Sequence, residues 1–254
     1  MLLRHSPAPP LDAFVDVLWA SERGAMPHAR ERNLPTGRAD LIIALRQTHL
    51  TRFASAAEVH GQRFAGGIVQ GPQQGSFFRE TGKPSSVIGV HFRAGGATAL
   101  FGVPLTELST PGAPAPGAAT RRRCADRLGP AGVRRIRTAQ RRRGSRALGW
   151  SPKRFIAEFS QRVGPTPKRF LRIARFQRIV QAAARCRTLD APIDWAVLAL
   201  AEGCADQAHL VREFRSFSGL TPSCYHPLAP DQASHTAEKI FKTSGSAGPY
   251  ASDR

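Results

Sequence analysis

Two rhythms of apolar residues divide the chain. From Leu34 to about Arg93 the apolar positions come in short runs, LPTG, ADLIIALR, GQRFAGGIVQG, SFFRE and SSVIGVHFR, separated by Gly37, Gly61, Gly66, Gly67, Gly71, Gly75 and Gly82. Runs of that length broken by glycine predict strands of a small antiparallel barrel or sandwich rather than alternating strand and helix. Ahead of them, residues 11–20 (LDAFVDVLWA) form a short amphipathic element with Phe14, Val17 and Leu18 on its apolar side, and after them ATALFGVPLTEL predicts a turn and a helix ending near Pro104. From Ser151 onward the spacing changes to three and four, the period of a helix with one buried face.

That second region holds one motif twice. SPKRFIAEFSQRVGPTPKRF (151–170) lies over DQAHLVREFRSFSGLTPSCY (206–225) at a constant offset of 55 residues. Phe155 then meets Leu210, Glu158 meets Glu213, Phe159 meets Phe214, Gly164 meets Gly219 and Phe170 meets Tyr225, which marks a duplicated supersecondary unit. Each copy reads as a helix with Ser151 or Asp206 as its N-terminal acceptor and Gly164 or Gly219 as its stop. Ile193, Trp195, Val197, Leu198 and Leu200 predict a short helix before the second copy, with Gly203 in the turn, and helix, glycine turn, helix is the helix-turn-helix unit. Between the copies, 167–186 has helical period and no proline or glycine after its start, so it predicts a long rigid spacer helix.

Charge sharpens this picture by its location. The formal net charge is +19, and residues 121–187 carry 21 basic and 2 acidic groups, so about a quarter of the chain holds the whole excess. Such a block attracts a polyanion and makes binding salt-dependent. No apolar run reaches the ~20 residues needed to span a bilayer, and the prolines of SPAPP break the apolar start MLLRH before it reaches the length of a leader, so neither a membrane span nor an export signal is expected. Cys124, Cys186, Cys204 and Cys224 have no close pair and read as free thiols of a reducing cytoplasm.

Within the basic block, residues 121–147 contain eleven arginines where the first copy needs an apolar support helix. Either that support helix is very weak, or the segment is a drifted or frame-shifted stretch of a GC-rich coding sequence. The expected organisation is therefore a β-rich domain (1–112), an arginine-rich linker with a defective first helix (113–147), a tandem helix-turn-helix domain (148–228) and a mobile tail (229–254). The fold class is α+β, a small antiparallel barrel or sandwich followed by an all-α part with a long spacer helix.

The duplicated residues, GWSPKRFIAEFSQRVGPTPKRFLRIARFQR and GCADQAHLVREFRSFSGLTPSCY, resemble the DNA-binding domain of the AraC/XylS bacterial transcription regulators. LPTGRADLIIAL and SSVIGVHFRAGGATALFGVPLTEL also look like the amino-terminal module of a subset of that family. The resemblance implies two recognition helices laid in successive major-groove segments of double-stranded DNA. It further implies contact with RNA polymerase, activation of transcription, and a β-rich module that senses a small-molecule effector or mediates self-association. Carried over by position, Lys153, Ile156 and Ala157 in the first helix and Gln207, Ala208, Val211 and Arg212 in the second would face base edges. Gln207 can pair with adenine and Arg212 with guanine, while Ala208 and Val211 can offer only apolar contact, as to a thymine methyl. Arg154, Lys168, Arg172 and Arg215 are the expected phosphate contacts, which position without specifying sequence.

Two other readings compete. A chain with a damaged first unit would hold nucleic acid without reading sequence. An enzyme would need its site in the β-rich domain, where His60 and His91 on neighbouring strands are the candidate metal ligands; neither has a second histidine two residues away, the spacing that puts two imidazoles on one side of a strand. No catalytic residue, metal or cofactor is therefore expected.

Overall fold

The computed structural model describes residues 1–102, 104–105, 149–188, 191–229 and 232–237. The expected organisation of the linker, including Cys124 and the arginine-rich run, lies outside the described residues. So does most of the expected tail.

The glycine-punctuated region folds into two antiparallel sheets. Strands β1 (Leu2–His5), β2 (Val15–Arg23), β9 (Ser85–Phe92), β4 (Asp40–Ala44) and β7 (Gly67–Gln70) lie side by side in the first. The second holds β3 (Arg30–Asn33), β8 (Phe77–Glu80), β5 (His49–Phe53) and β6 (Gln62–Ala65), with one further strand at its edge. Alternation of side chains sets the faces. In β2, Trp19, Ser21 and Arg23 point between the sheets, whereas Leu18 packs outward with Val15, Phe92 and Phe101 against the short helix α1 (Gly96–Phe101). Residues 11–20, read from sequence as one amphipathic element, are instead a single 3-10 turn, Leu11–Ala13, followed by the start of β2. The strand prevails because β1 and β9 pair with it along both edges.

The helical half follows the duplicated motif. It comprises α2 (Pro152–Val163), the long α3 (Pro167–Thr188), α4 (Trp195–Ala201) and α5 (Gln207–Ser218). Ser151 Oγ accepts the Arg154 amide and Asp206 Oδ1 the His209 amide, so both expected N-caps form. Gly164 and Gly219 end their helices at positive φ, 97° and 73°. Ile173, Phe176, Ile179 and Val180 of α3 build one core with Leu210, Phe214 and Phe217 of α5, closed by Tyr225. The rings meet largely edge to face, Phe176 on Phe214 at 5.2 Å and Phe214 on Tyr225 at 5.6 Å, the arrangement their quadrupoles favour.

The two halves are joined by specific contacts. Leu34, at the end of β3, is buried in the helical core. Gln177 of α3 donates to the Pro35 carbonyl at 2.7 Å, Arg169 to the Gln74 carbonyl at 2.7 Å, and the Ser76 amide to the Phe217 carbonyl at 3.1 Å. Arg32 reaches the α5 C-terminus and donates to the Ser218 carbonyl at 2.8 Å, placing a cation where the helix dipole is negative.

The expectation of a mobile tail from Ala229 is corrected over its described part. His235–Ala237 form β10, which pairs antiparallel with β3 at the edge of the second sheet. Pro227 and Thr236 make a further bridge, and the Leu228 amide donates to the His235 carbonyl, so the chain leaving the helices turns back as a small hairpin onto the β-rich half. Among the described residues, no helix is long and apolar enough to cross a membrane.

Gly219 carries two constraints at once, a φ of 73° and a Cβ position only 2.8 Å from Arg32 Nη1. Gly219→Val is expected to lower the stability of the folded chain by about 1–3 kcal/mol through left-handed strain and loss of the Arg32 cap. Urea unfolding of variant and parent checks this, and coincident curves would refute it.

Candidate nucleic-acid interface and intersheet cavity

α5 turns a polar face outward because its apolar face is fully spent. Leu210, Phe214 and Phe217 are buried against α3 and α4, and Gln207, Ala208, Arg212 and Arg215 are exposed on the other side with Val211 half-buried between. Asp194 caps α4 through the Ala196 and Val197 amides, and Ala199 and Trp195 of that helix back α5. The support expected for the second unit is thus in place. Val197 and Leu200, counted with that apolar set from sequence, are instead exposed at 62% and 67%.

Glu213 fixes α5 to α3. Its carboxylate is buried and bonds Arg172 Nε at 2.7 Å and Arg175 Nη2 at 2.7 Å. Burial alone would raise its pKa, but the hydrogen bonds from Arg175 and Arg172 outweigh that and hold it below the usual range. Arg172, assigned from sequence to a phosphate, spends its Nε on this carboxylate and lies over the Phe217 ring at 5.4 Å. Glu158, the equivalent residue in the first copy, pairs within its own helix with Arg162 at 2.9 Å.

In α2, Lys153, Arg154, Ile156 and Ala157 are exposed, and Ile156 is a large apolar side chain 46% open to solvent. Arg154 lies 5.1 Å over the Trp150 ring, and Lys168 at the start of α3 is exposed. Phe159 is buried between Phe155 and Phe170. α2 also leans on the β-rich half, where Thr98 donates to the Arg162 carbonyl and Pro72 abuts Gly164.

A second site was not legible in the sequence. Between the sheets lies a cavity of about 380 Å³. Its wall draws on Trp19 and His91 from the first sheet, Arg52 and Phe77 from the second, and Ser234 and His235 from the segment after the helices. Behind that wall sits Glu31, with no exposed surface, bonded to Arg79 at 2.8 Å, Arg23 at 3.1 Å and His235 Nδ1 at 2.6 Å. Burial opposes its ionisation, yet the His235 hydrogen bond and the Arg79 charge together pull it down to about 2. Burial also lowers His235, against the opposing pull of its hydrogen bond to Glu31, and since the ionised carboxylate can only accept, His235 Nδ1 donates to it. Gln232 accepts from Arg23 at 2.8 Å and Ser234 donates to Gln177 of α3 at 2.9 Å. One short segment so touches the cavity, the Glu31 cluster and the spacer helix.

The histidines considered as metal ligands do not meet. His91 on β9 bonds Asp40 at 2.6 Å and stacks on Trp19, while His60 is exposed in the loop between β5 and β6. Among the described residues no three His, Cys, Asp or Glu side chains gather as a metal site. Cys186, Cys204 and Cys224 are free thiols.

A family model described as a domain of unknown function, DUF6597, matches residues 3–111. That covers the β-rich half and α1. No curated protein matches the chain. Among solved structures the chain is similar to ToxT from Vibrio cholerae, with 9% identity and a TM-score of 0.41 over 82% of this chain and 96% of that one. A fatty-acid-bound wild-type ToxT from strain SCE256 gives 7% identity and a TM-score of 0.41 over 82% and 94%. Likeness at this level assigns no residue a role.

The Glu31 cluster makes stability depend on acid. A carboxyl held at about 2 against an ordinary value of 4.5 contributes stability that is present above pH 4.5 and lost as the pH falls toward 2. Glu31→Gln is expected to be less stable than the parent at pH 7 by roughly 3 kcal/mol, with the gap narrowing on acidification below pH 4.5. Urea unfolding across pH 7 to 2.5 measures it; a gap independent of pH would show that the charge of Glu31 contributes nothing.

Proposed function

We propose that the chain is a sequence-specific, double-stranded DNA-binding transcription regulator of the AraC/XylS type, without catalytic activity, whose DNA binding responds to a small molecule held between the sheets. The observation that carries this reading is the exposed face of α5. It offers Gln207, Ala208, Val211 and Arg212 on a capped helix whose opposite face is locked by Phe214 and the Glu213 ion pairs. A rigid helix with a polar outer face and a fixed angle is what major-groove reading demands. In this reading Gln207 and Arg212 specify bases, Ala208 and Val211 exclude mismatched groups by shape, and Arg215 holds phosphate. Lys153, Ile156 and Ala157 on α2 form a second, less discriminating contact flanked by Arg154 and Lys168, since neither Ile156 nor Ala157 can hydrogen-bond a base edge. Arg172 is withdrawn from the phosphate set because Glu213 engages it.

Response to a small molecule is supported by continuity of structure. The cavity wall includes Ser234 and His235, and the same segment bonds α3 through Gln177. A molecule that shifts the wall therefore shifts a contact of the DNA-reading half. Activation through RNA polymerase, or association of two copies through the β-rich half, completes the proposed role.

Arg212→Ala tests the reading of α5. It is expected to weaken binding to the cognate site by ~1–3 kcal/mol while leaving affinity for random duplex nearly unchanged. Fluorescence anisotropy with both duplexes at fixed salt separates the cases, and an equal loss on the two would make Arg212 a phosphate contact and withdraw it from sequence reading.

A further inference from the structure

The polar groups around the intersheet cavity are out of balance. Its carboxylates are already engaged: Asp40 by His91 at 2.6 Å and Glu80 by Lys83 at 3.1 Å, with Glu31 behind the wall shared by Arg23, Arg79 and His235. Arg52 differs. Its guanidinium donates to the neutral Gln73 at 2.8 Å and lies 4.2 Å over the Phe77 ring, and burial pushes its pKa down. A half-buried cation held, among the described residues, by an amide and a ring has given up part of its water without gaining an anion, an arrangement that costs stability unless a counter-charge arrives.

The remaining unsatisfied atoms point the same way. Trp19 Nε1, Gln47 Nε2 and Arg79 Nε are buried without a partner among the described residues, and all three side chains line the cavity. Each is a donor. The Gln47 amide orientation is fixed independently, because its oxygen accepts the Ser86 amide at 3.0 Å. Natural interiors leave few polar atoms unpaired, and a set composed wholly of donors calls for a ligand rich in acceptors. Between these donors the wall is apolar, with Ile42, Leu50, Phe64, Ile68 and Val87. The backbone is also shaped to the indole: a Cβ at Gly89 would fall 2.3 Å from Trp19 Cε2, so glycine there lets the ring lie flat across β9.

We propose that the cavity binds a small organic monoanion, an acidic group joined to an apolar body, with the Arg52 guanidinium as its charge partner and Gln47 and Trp19 as further donors. The inference rests on the reading of this cavity as the small-molecule site of a regulator, and names the chemistry of that molecule. A carboxylate and a phosphate monoester share the needed acceptors. At about 380 Å³ the space is near the lower end of ligand sites, which limits the body to about the size of one ring with a short chain.

Calorimetric titration of the full chain, without DNA, tests the proposal with 4-phenylbutyrate, phenyl phosphate, inorganic phosphate and 4-phenylbutan-1-ol. At least one of the two organic anions is expected to bind roughly tenfold or more tightly than the alcohol, and which one binds identifies the acidic group. Arg52→Met is expected to remove that preference while the melting temperature stays level or rises, since a half-buried charge without an anionic partner among the described residues is removed. If Arg52→Met does not fold, Trp19→Phe carries the test: loss of the indole N–H weakens anion binding several-fold and leaves the alcohol unchanged. Equal binding of alcohol and anion, anion binding unaltered by either substitution, binding of inorganic phosphate alone, or no binding of either organic anion at millimolar concentration overturns the proposal. A chain that selects DNA sites yet binds no anion would overturn this inference alone; one that binds the anion but no DNA would overturn the regulator reading and leave the site standing.

Discussion

Glu31 is the constraint on which the arrangement of the two halves turns. A carboxylate with no exposed surface would be prohibitive alone, and it is tolerated because Arg23, Arg79 and His235 surround it. These three come from β2, β8 and β10, which belong to the first sheet, the second sheet and the chain beyond the helical half. Each donates to the one carboxylate, so the cluster ties the two sheets together and pins β10 beside β3. The space left between the sheets is the cavity.

The helical half is organised by a parallel device. Glu213, nearly as buried, ties α5 to α3 through Arg172 and Arg175, and the aromatic cluster around Phe214 fills the rest of the contact. Leu34 enters this core from the β-rich half, and Ala233 enters it from the segment before β10, where its carbonyl accepts the Tyr225 hydroxyl at 2.5 Å. The segment 233–235 thus touches both the cavity wall and the core that backs α5, which is the route by which the proposed effector would reach the helical half.

The helices were readable in the sequence because their determinants are local. Ser151, Asp206, Gly164 and Gly219 act within one turn of their own position, and a repeat at an offset of 55 exposes the shared core residues by their coincidence. The antiparallel sheets were readable as a class, since glycine and short apolar runs report strand ends, but not as a topology. The features that stayed hidden were non-local. β10 is three residues, His-Thr-Ala, with no apolar alternation, and it is a strand only because β3 has an open edge. Arg172 looks like any surface arginine until Glu213, 41 residues away, is seen beneath it. A cavity has no pattern of its own; it is what the side chains of Trp19, Arg52 and Phe77 fail to fill. Residues 11–20 misled because a β-bulge between Val15 and Val17 mixes the two periodicities.

The most direct test of the account is selection of bound fragments by the full-length chain from a random duplex library at a salt concentration that suppresses non-specific attraction. A rigid, outward-facing α5 predicts recovery of one short consensus, with a second, weaker block of preference displaced to one side where α2 would lie. Recovery of all sequences in proportion to their input, with affinity that simply falls as salt rises, would contradict it and leave the chain a general nucleic-acid binder.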